Sequence, residues 1–342
     1  MMALNYLVTG GAGFIGSNYV HRLLQRGAHV TIYDNLSRAG APRNLDWLKK
    51  DFGEKSFDMQ VADVRDAAFI RTAARQADVI VHLAGQVAVT TSVADPRSDF
   101  EANAFGTFNA LEAARLSGRD PIFIYASTNK VYGGMEDVAV AEDATRWHYA
   151  DLVNGCPETQ PLDFHSPYGC SKGTGDQYVR DYARIYGLRS VVFRQSCIYG
   201  PRQFGIEDQG WLAWMTIAAV TGRRITIYGD GKQVRDVLHV DDLLDAYDAA
   251  LEKIDIAKGR VYNMGGGARN VLAVWSEFGP LLEKLLGRKI EVARAGWRPG
   301  DQRVFYANFS KARNELGWEP KIGLEQGIER LFRWVKENQA LF

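Results

Sequence analysis

A glycine-rich turn between an apolar run and a helical pattern constrains the fold of this chain more than any other segment. The apolar run covers residues 4 to 9, and residues 9 to 16 read TGGAGFIG. Glycines here allow a tight turn, let the backbone approach a pyrophosphate, and place the phosphates at the positive N-terminal end of a closely packed helix. The segment therefore predicts a turn that binds a dinucleotide, with candidate contacts at Gly10, Gly13, Phe14, Ile15 and Gly16.

Asp34, which follows the second predicted strand, indicates which dinucleotide is bound. It lies 18 residues after Gly16, where a carboxylate accepts hydrogen bonds from the adenosine ribose and repels a 2′-phosphate. The sequence therefore predicts NAD. Arg38 keeps NADP open as the alternative, because an arginine can accommodate the phosphate. Further candidate cofactor contacts follow the second, third and fourth predicted strands: Asn35, Ser37, Arg38, Asp63, Val64, Leu83, Ala84 and Gly85.

Short apolar runs alternate with helical patterns through the first half of the chain. The runs cover residues 4–9, 28–33, 57–61, 78–83, 121–126 and 189–194. Such alternation predicts βαβ units and a parallel sheet, and nearly continuous apolar strands are expected where helices cover both faces. The predicted fold class is α/β: a doubly wound parallel Rossmann sheet with a smaller α/β substrate-binding domain.

Beyond residue 194, Gly/Pro-rich connections separate helices predicted at 210–221, 240–252, 271–286 and 324–337. The cofactor-binding domain is expected at residues 1–194 plus about 235–256. The substrate-binding domain is expected at about 195–234 and 257–342, where it would shape a substrate cleft.

Composition excludes several classes of protein. The chain has 342 residues, of which 46% are hydrophobic, enough to fill a sizeable core. Lys plus Arg and Asp plus Glu each number 41, so no broad positive field attracts nucleic acid or a membrane surface. The three cysteines lack the paired spacing of a disulfide framework or a zinc site. With no long apolar segment and no signal-peptide pattern, a reducing, cytoplasmic location is expected.

Tyr168 and Lys172 form the candidate catalytic pair. They lie four residues apart in a predicted helix that ends near residue 186, so their side chains share one face. Tyr228 and Lys232 repeat the spacing, but the intervening Gly-Asp-Gly predicts a turn. A tyrosine serves as a base near neutrality only if its pKa falls by about 3 units, roughly 4 kcal/mol. The Lys172 ammonium and an oxidised nicotinamide ring are the charges that could supply this stabilisation.

With the hydroxyl-bearing strand end ASTNKVYG at 126–133, these elements resemble the extended short-chain dehydrogenase/reductase family of nucleotide-sugar-modifying enzymes. The resemblance covers nearly the whole chain, including YGPR at 199–202, VRDVLHVDD at 234–242 and LGWEP at 316–320. It implies that Tyr168 is the catalytic acid and base, that Lys172 holds the nicotinamide ribose, and that Thr128 assists with its hydroxyl. It also implies a homodimer formed through helices near 97–117 and 168–186.

Asn129 and Lys130 depart from the dehydratases of that family, which typically place Asp-Glu after the catalytic Thr. Dehydration and decarboxylation are therefore disfavoured, and epimerisation through a transient ketose is expected. Segments 86–92, 127–133, 161–172 and 208–211 resemble the 2-epimerases of CDP-paratose and CDP-tyvelose. UDP-hexose 4-epimerases or other nucleotide-sugar oxidoreductases are the alternative, although the 4-epimerases commonly carry Asn where Cys197 stands.

The same resemblance implies a CDP-sugar substrate. Arg235 and Arg298 match the family's cations for the pyrophosphate. The other candidate substrate contacts are Asn129, His165, Ser196, Gln209, Trp211 and Asp301. No metal is expected, because His165 and His239 lack a second ligand at workable spacing.

Overall fold

The computed structural model describes residues 4–298 and 301–342. Its strands are β1 Asn5–Thr9, β2 His29–Asp34, β3 Asp58–Val61, β4 Val79–His82, β5 Ile122–Thr128, β6 Val140–Glu142, β7 Trp147–Tyr149, β8 Arg189–Gln195, β9 Cys197–Tyr199, β10 Ile225–Tyr228, β11 Val234–His239, β12 Arg260–Met264, β13 Val271–Ala273, β14 Val292–Ala295 and β15 Val304–Phe305.

The α helices are α1 Phe14–Gln25, α2 Ala41–Phe52, α3 Ala67–Ala73, α4 Val89–Ala94, α5 Pro96–Phe100, α6 Gly106–Arg115, α7 Ser166–Tyr186, α8 Trp211–Thr221, α9 Val240–Glu252, α10 Ile254–Ala257, α11 Phe278–Leu286, α12 Ser310–Leu316 and α13 Leu324–Glu337. A π-helical stretch, Glu101–Phe105, joins α5 to α6. None of the helices within the described residues combines the length and the apolar composition needed to cross a membrane.

A central parallel sheet of seven strands has the order β12-β8-β5-β4-β1-β2-β3, which confirms the predicted fold class. From β1 the chain proceeds outwards through β2 and β3, and then returns to β4 on the other side of β1. The strand order therefore reverses between β1 and β4, the place where ligands bind in open α/β sheets. Thr9 pairs with both Tyr33 and His82, so the carboxyl ends of these three strands lie level.

The chain divides into two compact units. The first comprises the chain up to Val131 together with Ser166–Arg194 and Leu244–Tyr262; the second comprises Tyr132–His165, Gln195–Leu243 and Asn263–Phe342. Residues 132–165 thus lie in the second unit, whereas the expected boundaries placed them in the first. Hydrogen bonds hold them there: Tyr132 donates to Asn263 Oδ1 at 2.7 Å, and Tyr149 donates to the Val304 carbonyl at 3.1 Å.

Strand β11 is the centre of the main sheet of the second unit. It pairs in parallel with β9 and β15 and antiparallel with β13. Residues 235–239 therefore belong to this unit, not to the first as expected. The helix predicted at 271–286 is wrong in its first part, because Val271–Ala273 pairs with β11 and the helix begins at Phe278. This pairing partner is distant in the chain, so local spacing does not reveal it.

Asp242 explains two of the sequence motifs in structural terms. Its backbone carbonyl accepts the Trp318 indole N–H at 2.8 Å. Its carboxylate accepts the N–H groups of Lys321 and Ile322 at 3.1 and 3.0 Å. The segments 234–242 and 316–320 are thus bonded to each other within the second unit, and these contacts serve the fold rather than the chemistry.

Candidate active site

The glycine turn has the geometry that a dinucleotide requires. Gly10 has a φ of +70°, and a Cβ there would lie 2.8 Å from the Ala84 nitrogen. A Cβ on Gly16 would lie 2.1 Å from the Gly10 carbonyl oxygen, so only glycine lets α1 begin so close to β1. Helix α1 starts after Gly13 without a side-chain cap or an acidic residue in its first turn. This helix end, where Phe14 and Ile15 follow, fits an anionic pyrophosphate.

Asp34 connects the end of β2 to the glycine turn. Its Oδ2 accepts the Ala12 N–H at 3.0 Å, and its Oδ1 accepts the Leu36 N–H at 2.8 Å. Burial raises the pKa of this carboxyl group, while the backbone N–H groups act in the opposite direction. A carboxylate has about four acceptor sites, more than the backbone N–H groups of Leu36, Ala12 and Gly13 occupy, so the position still fits a group that accepts ribose hydroxyls.

The polar residues after β2 and β3 are bonded to one another. Asn35 donates to Asp63 Oδ2 at 2.9 Å, and Arg65 binds both oxygens of the same carboxylate at 2.9 and 2.8 Å. The Arg65 guanidinium lowers the pKa of Asp63 to about 2. Among the neighbouring candidates, Ser37 and Arg38 are exposed and Val64 is buried.

The loop after β4 contains three predicted cofactor contacts, Leu83, Ala84 and Gly85, all partly buried. The Ala84 N–H donates to Thr9 Oγ1 at 3.3 Å. A Cβ on Gly85 would lie 2.4 Å from Asn103 Oδ1. Asn103 is buried, and this oxygen has no hydrogen-bond partner within the described residues.

Asn103 is therefore a candidate cofactor contact that the sequence analysis missed. It lies in the π-helical stretch between α5 and α6, and such irregular turns are frequent at functional sites. The sequence there shows only a helical pattern, so the irregular backbone that directs this amide towards Gly85 gives no local signal.

His82 is a second buried residue that the sequence analysis missed. Its Nδ1 accepts the Thr9 hydroxyl at 2.8 Å, and its Nε2–H donates to the Thr107 hydroxyl at 3.1 Å, the tautomer being assigned from this network. Burial lowers its pKa to about 3, so the ring is neutral at any physiological pH. We interpret His82 as a bridge between the glycine turn and α6.

The structure brings the three predicted catalytic side chains to one place in the first unit. Tyr168 and Lys172 lie one turn apart in the first part of α7, and the Tyr168 backbone N–H donates to Ser92 Oγ at 3.1 Å. Thr128, the last residue of β5, is buried and hydrogen-bonds the Tyr168 phenol through its hydroxyl. The Lys172 ammonium is buried 4.4 Å from the centre of the Tyr125 ring.

Burial is the largest cause of the pKa shifts of both titratable groups in this trio, Tyr168 and Lys172. Loss of hydration raises the pKa of Tyr168 to about 12; the Thr128 hydrogen bond lowers it, and the charge of Asp99 raises it further. Loss of hydration also lowers the pKa of Lys172 to about 8, against the opposing charges of Asp99 and Asp176. In the chain alone, loss of hydration therefore outweighs the stabilisation of the Tyr168 phenolate by its neighbours, and the pKa of Tyr168 lies above its ordinary value.

The two predicted pyrophosphate cations are paired with acids of the second unit. The buried Arg235 donates to Asp301 Oδ1 at 2.6 Å. Arg298 lies 3.2 Å from Asp208 Oδ1 and 3.8 Å from the centre of the Tyr228 ring. Residues 299 and 300, which separate Arg298 from Asp301, lie outside the described residues. An anionic ligand at either arginine would have to compete with these carboxylates.

The remaining candidate substrate contacts differ in their hydrogen bonds and in their exposure. Trp211, the first residue of α8, donates its indole N–H to Cys197 Sγ at 3.4 Å, and the Gln209 N–H donates to the Ile206 carbonyl at 2.9 Å in the preceding turn. Ser196 donates its hydroxyl to the Asp236 carboxylate. His165 is exposed, and the Asn129 side chain accepts the Thr128 hydroxyl at 3.4 Å.

Comparison with known proteins assigns these elements to a group of relatives. The family model described as GDP-mannose 4,6 dehydratase matches residues 7–331. A CDP-paratose 2-epimerase of Salmonella typhi is 43% identical over 339 residues, which is 97% of this chain and 99% of the relative.

Two solved structures are similar over 98% of this chain. A double mutant of a dTDP-glucose 4,6-dehydratase from Streptomyces venezuelae, with NAD bound, has a TM-score of 0.85 at 30% identity and is covered over 98% of its length. A UDP-glucose 4-epimerase of Thermus thermophilus, in complex with NAD, has a TM-score of 0.81 at 31% identity and is covered over 100%.

Proposed function

This chain belongs to the GDP-mannose 4,6-dehydratase family of nucleotide-sugar epimerases and dehydratases, and we propose that it inverts C2 of a CDP-activated sugar with NAD as its bound cofactor. The substrate is of the CDP-paratose and CDP-tyvelose type. The relative from Salmonella typhi, which is 43% identical over nearly its whole length, supports this choice of sugar and base.

The first unit supports NAD as the cofactor. The uncapped start of α1 suits a pyrophosphate, and Asp34 suits an adenosine ribose with a free 2′-hydroxyl. When bound, NAD supplies a reversible acceptor for the hydride that leaves a secondary alcohol. Its oxidised ring would add a positive charge that stabilises the Tyr168 phenolate against its loss of hydration.

Tyr168 is the proposed acid and base. Its phenolate takes the proton of the C2 hydroxyl as the 2-keto sugar forms, and the phenol gives the proton back when the opposite face of C2 is reduced. Thr128 donates a hydrogen bond to the reacting oxygen or to the phenolate, and Lys172 would hold the nicotinamide ribose. Because oxidation and reduction cancel, the reaction needs no external redox partner.

The observation that carries the assignment to epimerisation is the pair of residues after Thr128. The Asn129 side-chain oxygen accepts the Thr128 hydroxyl at 3.4 Å, and Lys130 donates its backbone N–H to Thr128 Oγ1 at 3.3 Å. Neither residue carries a carboxylate, and in the dehydratases it is the Glu of the acidic pair that removes a proton from carbon. We therefore assign redox inversion, rather than loss of water, to this site.

In the second unit, Arg235 and Arg298 are the proposed anchors of the pyrophosphate. The anchor must hold while the keto sugar turns, because inversion requires hydride return to the face opposite the one that lost it. Guanidinium groups suit this task, since they bind phosphate oxygens through paired hydrogen bonds.

The test is incubation of the purified protein with CDP-paratose and CDP-tyvelose in deuterated water without added reductant, followed by NMR. The expected product is the C2 epimer without deuterium at C2, because the hydride never exchanges with solvent. Extensive deuterium at C2 would indicate proton abstraction from carbon and would contradict the mechanism. Parallel incubations with UDP-glucose and UDP-galactose test the 4-epimerase alternative, and inversion of these substrates alone would overturn the proposed C2 reaction. A product that has lost water would overturn epimerisation.

We also infer that the first unit forms a homodimer through α5, α6 and α7. An exposed aromatic surface follows these elements, with Phe105 stacked on Phe108 at 6.5 Å and Phe108 edge-on to Tyr178 at 6.1 Å between ring centres. A second copy of this chain is the proposed occupant, because grouped exposed aromatic side chains mark an interaction site and a two-fold dimer brings the same patch of both copies together. Light scattering should give a dimer for the native chain and a monomer for Phe108→Glu; a monomeric native chain would contradict the inference.

A further inference from the structure

Asp176 is a charged residue in the first unit that the mechanism leaves without a role. It lies one turn beyond Lys172 on α7 and is fully buried. Its carboxylate binds Arg194 of β8 through two hydrogen bonds, at 2.8 and 2.9 Å. It also accepts the hydroxyl of Ser127, the residue before Thr128, at 2.8 Å. One carboxylate therefore fixes α7 to both β5 and β8.

These bonds determine how the catalytic residues meet. Ser127 and Thr128 are adjacent on β5, and Asp176 and Lys172 are one turn apart on α7. A shift of α7 along β5 would break the Ser127–Asp176 bond and move Tyr168 away from the Thr128 hydroxyl at the same time. Displacements of about 1 Å can cost roughly a hundredfold in rate, so this bond has a direct bearing on catalysis.

The charges around Lys172 come from several elements. Asp99 of α5 binds Ser171 Oγ at 2.5 Å and Asn103 Nδ2 at 3.0 Å. The other groups that face or flank Lys172 are the neutral His82 of β4, the Tyr125 ring of β5, and Tyr168 and Asp176 of α7; Arg194 of β8 neutralises Asp176 in turn. Asp99 and Asp176 both favour the charged form of Lys172, against the burial that lowers its pKa.

We propose that Asp176 is a positioning residue for the catalytic pair: by binding Ser127 and Arg194 together, it sets α7 against β5 so that Tyr168 meets Thr128. A second consequence is electrostatic, because the same carboxylate helps Lys172 to remain an ammonium ion. The proposal rests on the proposed function only in the identity of the catalytic trio.

The first test is an NMR titration of 13C-labelled lysine in the chain without substrate, with Lys172 assigned from Lys172→Arg. The native midpoint is expected near 8. Asp176→Asn should lower it by about one unit, because a nearby opposite charge is removed. A midpoint that does not move overturns the electrostatic part of the proposal. This titration needs no turnover, so it remains decisive even if the protein converts no CDP-sugar.

The second test is turnover of the sugar that the native protein converts. Asp176→Asn should lower kcat roughly tenfold to a hundredfold at pH 7, with KM nearly unchanged and the alkaline limb of the pH profile moved to lower pH. Ser127→Ala should lower kcat by about tenfold while the Lys172 midpoint stays in place. If kcat falls only in proportion to the unfolded fraction in both variants, Asp176 has a purely structural role and the proposal fails.

A matched control comes from Asp248 on α9, which bonds Tyr19 at 3.1 Å and Arg22 at 3.0 Å. Asp248→Asn weakens a part-buried ion pair of the same unit, so it should lower thermal stability without moving the Lys172 midpoint or the alkaline limb. If Asp176→Asn does not fold, because Arg194 is left buried and unpaired, Ser127→Ala decides: an unchanged kcat in that variant overturns the positioning role.

Discussion

The cations of the candidate site have different surroundings in the two units. In the first unit, Lys172 is buried against an aromatic ring, and burial lowers its pKa to about 8. In the second unit, Arg235 and Arg298 are bound to Asp301 and Asp208. Under the proposed function, the first arrangement would prepare a charge for a chemical step, whereas the second would keep charges neutralised until an anion displaces the carboxylates. Substitutions should therefore affect turnover in the first unit and substrate affinity in the second.

The largest expected effect tests the first half of this contrast. Tyr168→Phe removes the proposed acid and base, so turnover should fall by about 10³-fold to 10⁴-fold while NAD and CDP still bind. The measurement is initial rate by NMR or chromatography. Tyr178→Phe, on the same helix, is the matched control and should keep native turnover. Substantial activity in Tyr168→Phe would mean that another group carries the proton.

Arg235→Met tests the second unit and should weaken substrate binding rather than slow turnover. Loss of the guanidinium that is proposed to bind the pyrophosphate should raise KM by roughly a hundredfold and leave kcat within a few-fold of native. Calorimetry with CDP checks the same effect without turnover. A fall in kcat at unchanged KM would contradict the contrast, because Arg235 would then act in the chemical step.

Gly13→Ala separates cofactor binding from folding in the first unit. A Cβ on Gly13 would meet only the Gly10 carbonyl oxygen, at 3.1 Å, so the chain should fold with nearly native thermal stability. A pyrophosphate against this backbone would lose its close approach, and NAD affinity should fall by about tenfold. Gly16→Ala, with its 2.1 Å contact, should instead lower stability itself. Native NAD affinity in Gly13→Ala would place the cofactor elsewhere.

Asp301→Asn has the smallest expected effect. The direction in which CDP affinity changes tests whether the carboxylate competes with the substrate. If the carboxylate competes with the substrate for Arg235, its removal should strengthen CDP binding by about threefold, as befits a partly exposed ion pair. Weaker binding would show instead that Asp301 orients Arg235 for the ligand. Titration calorimetry distinguishes the two outcomes.

The sequence was most informative where a structural feature is determined by residues that are close together in the chain. The glycine turn, the alternating strands and the Tyr168–Lys172 spacing each depend on neighbouring residues, and the structure has six strands within two residues of the predicted ones. What could not be predicted depends on contacts between distant segments. Val271–Ala273 becomes a strand through β11, Asn103 is directed by an irregular helix, and Asp176 acquires partners from β5 and β8. The roles of the individual site residues stay predictions.

The division of the chain into two units has a consequence for how such a protein can diversify. The backbone passes from one unit to the other at five points, after residues 131, 165, 194, 243 and 262. No contiguous stretch of a gene therefore encodes either unit as a whole, and recombination at a single junction cannot transplant one. An exchange at one junction would leave at least one unit assembled from parts of two parents, whereas a point substitution keeps the inherited scaffold of both units.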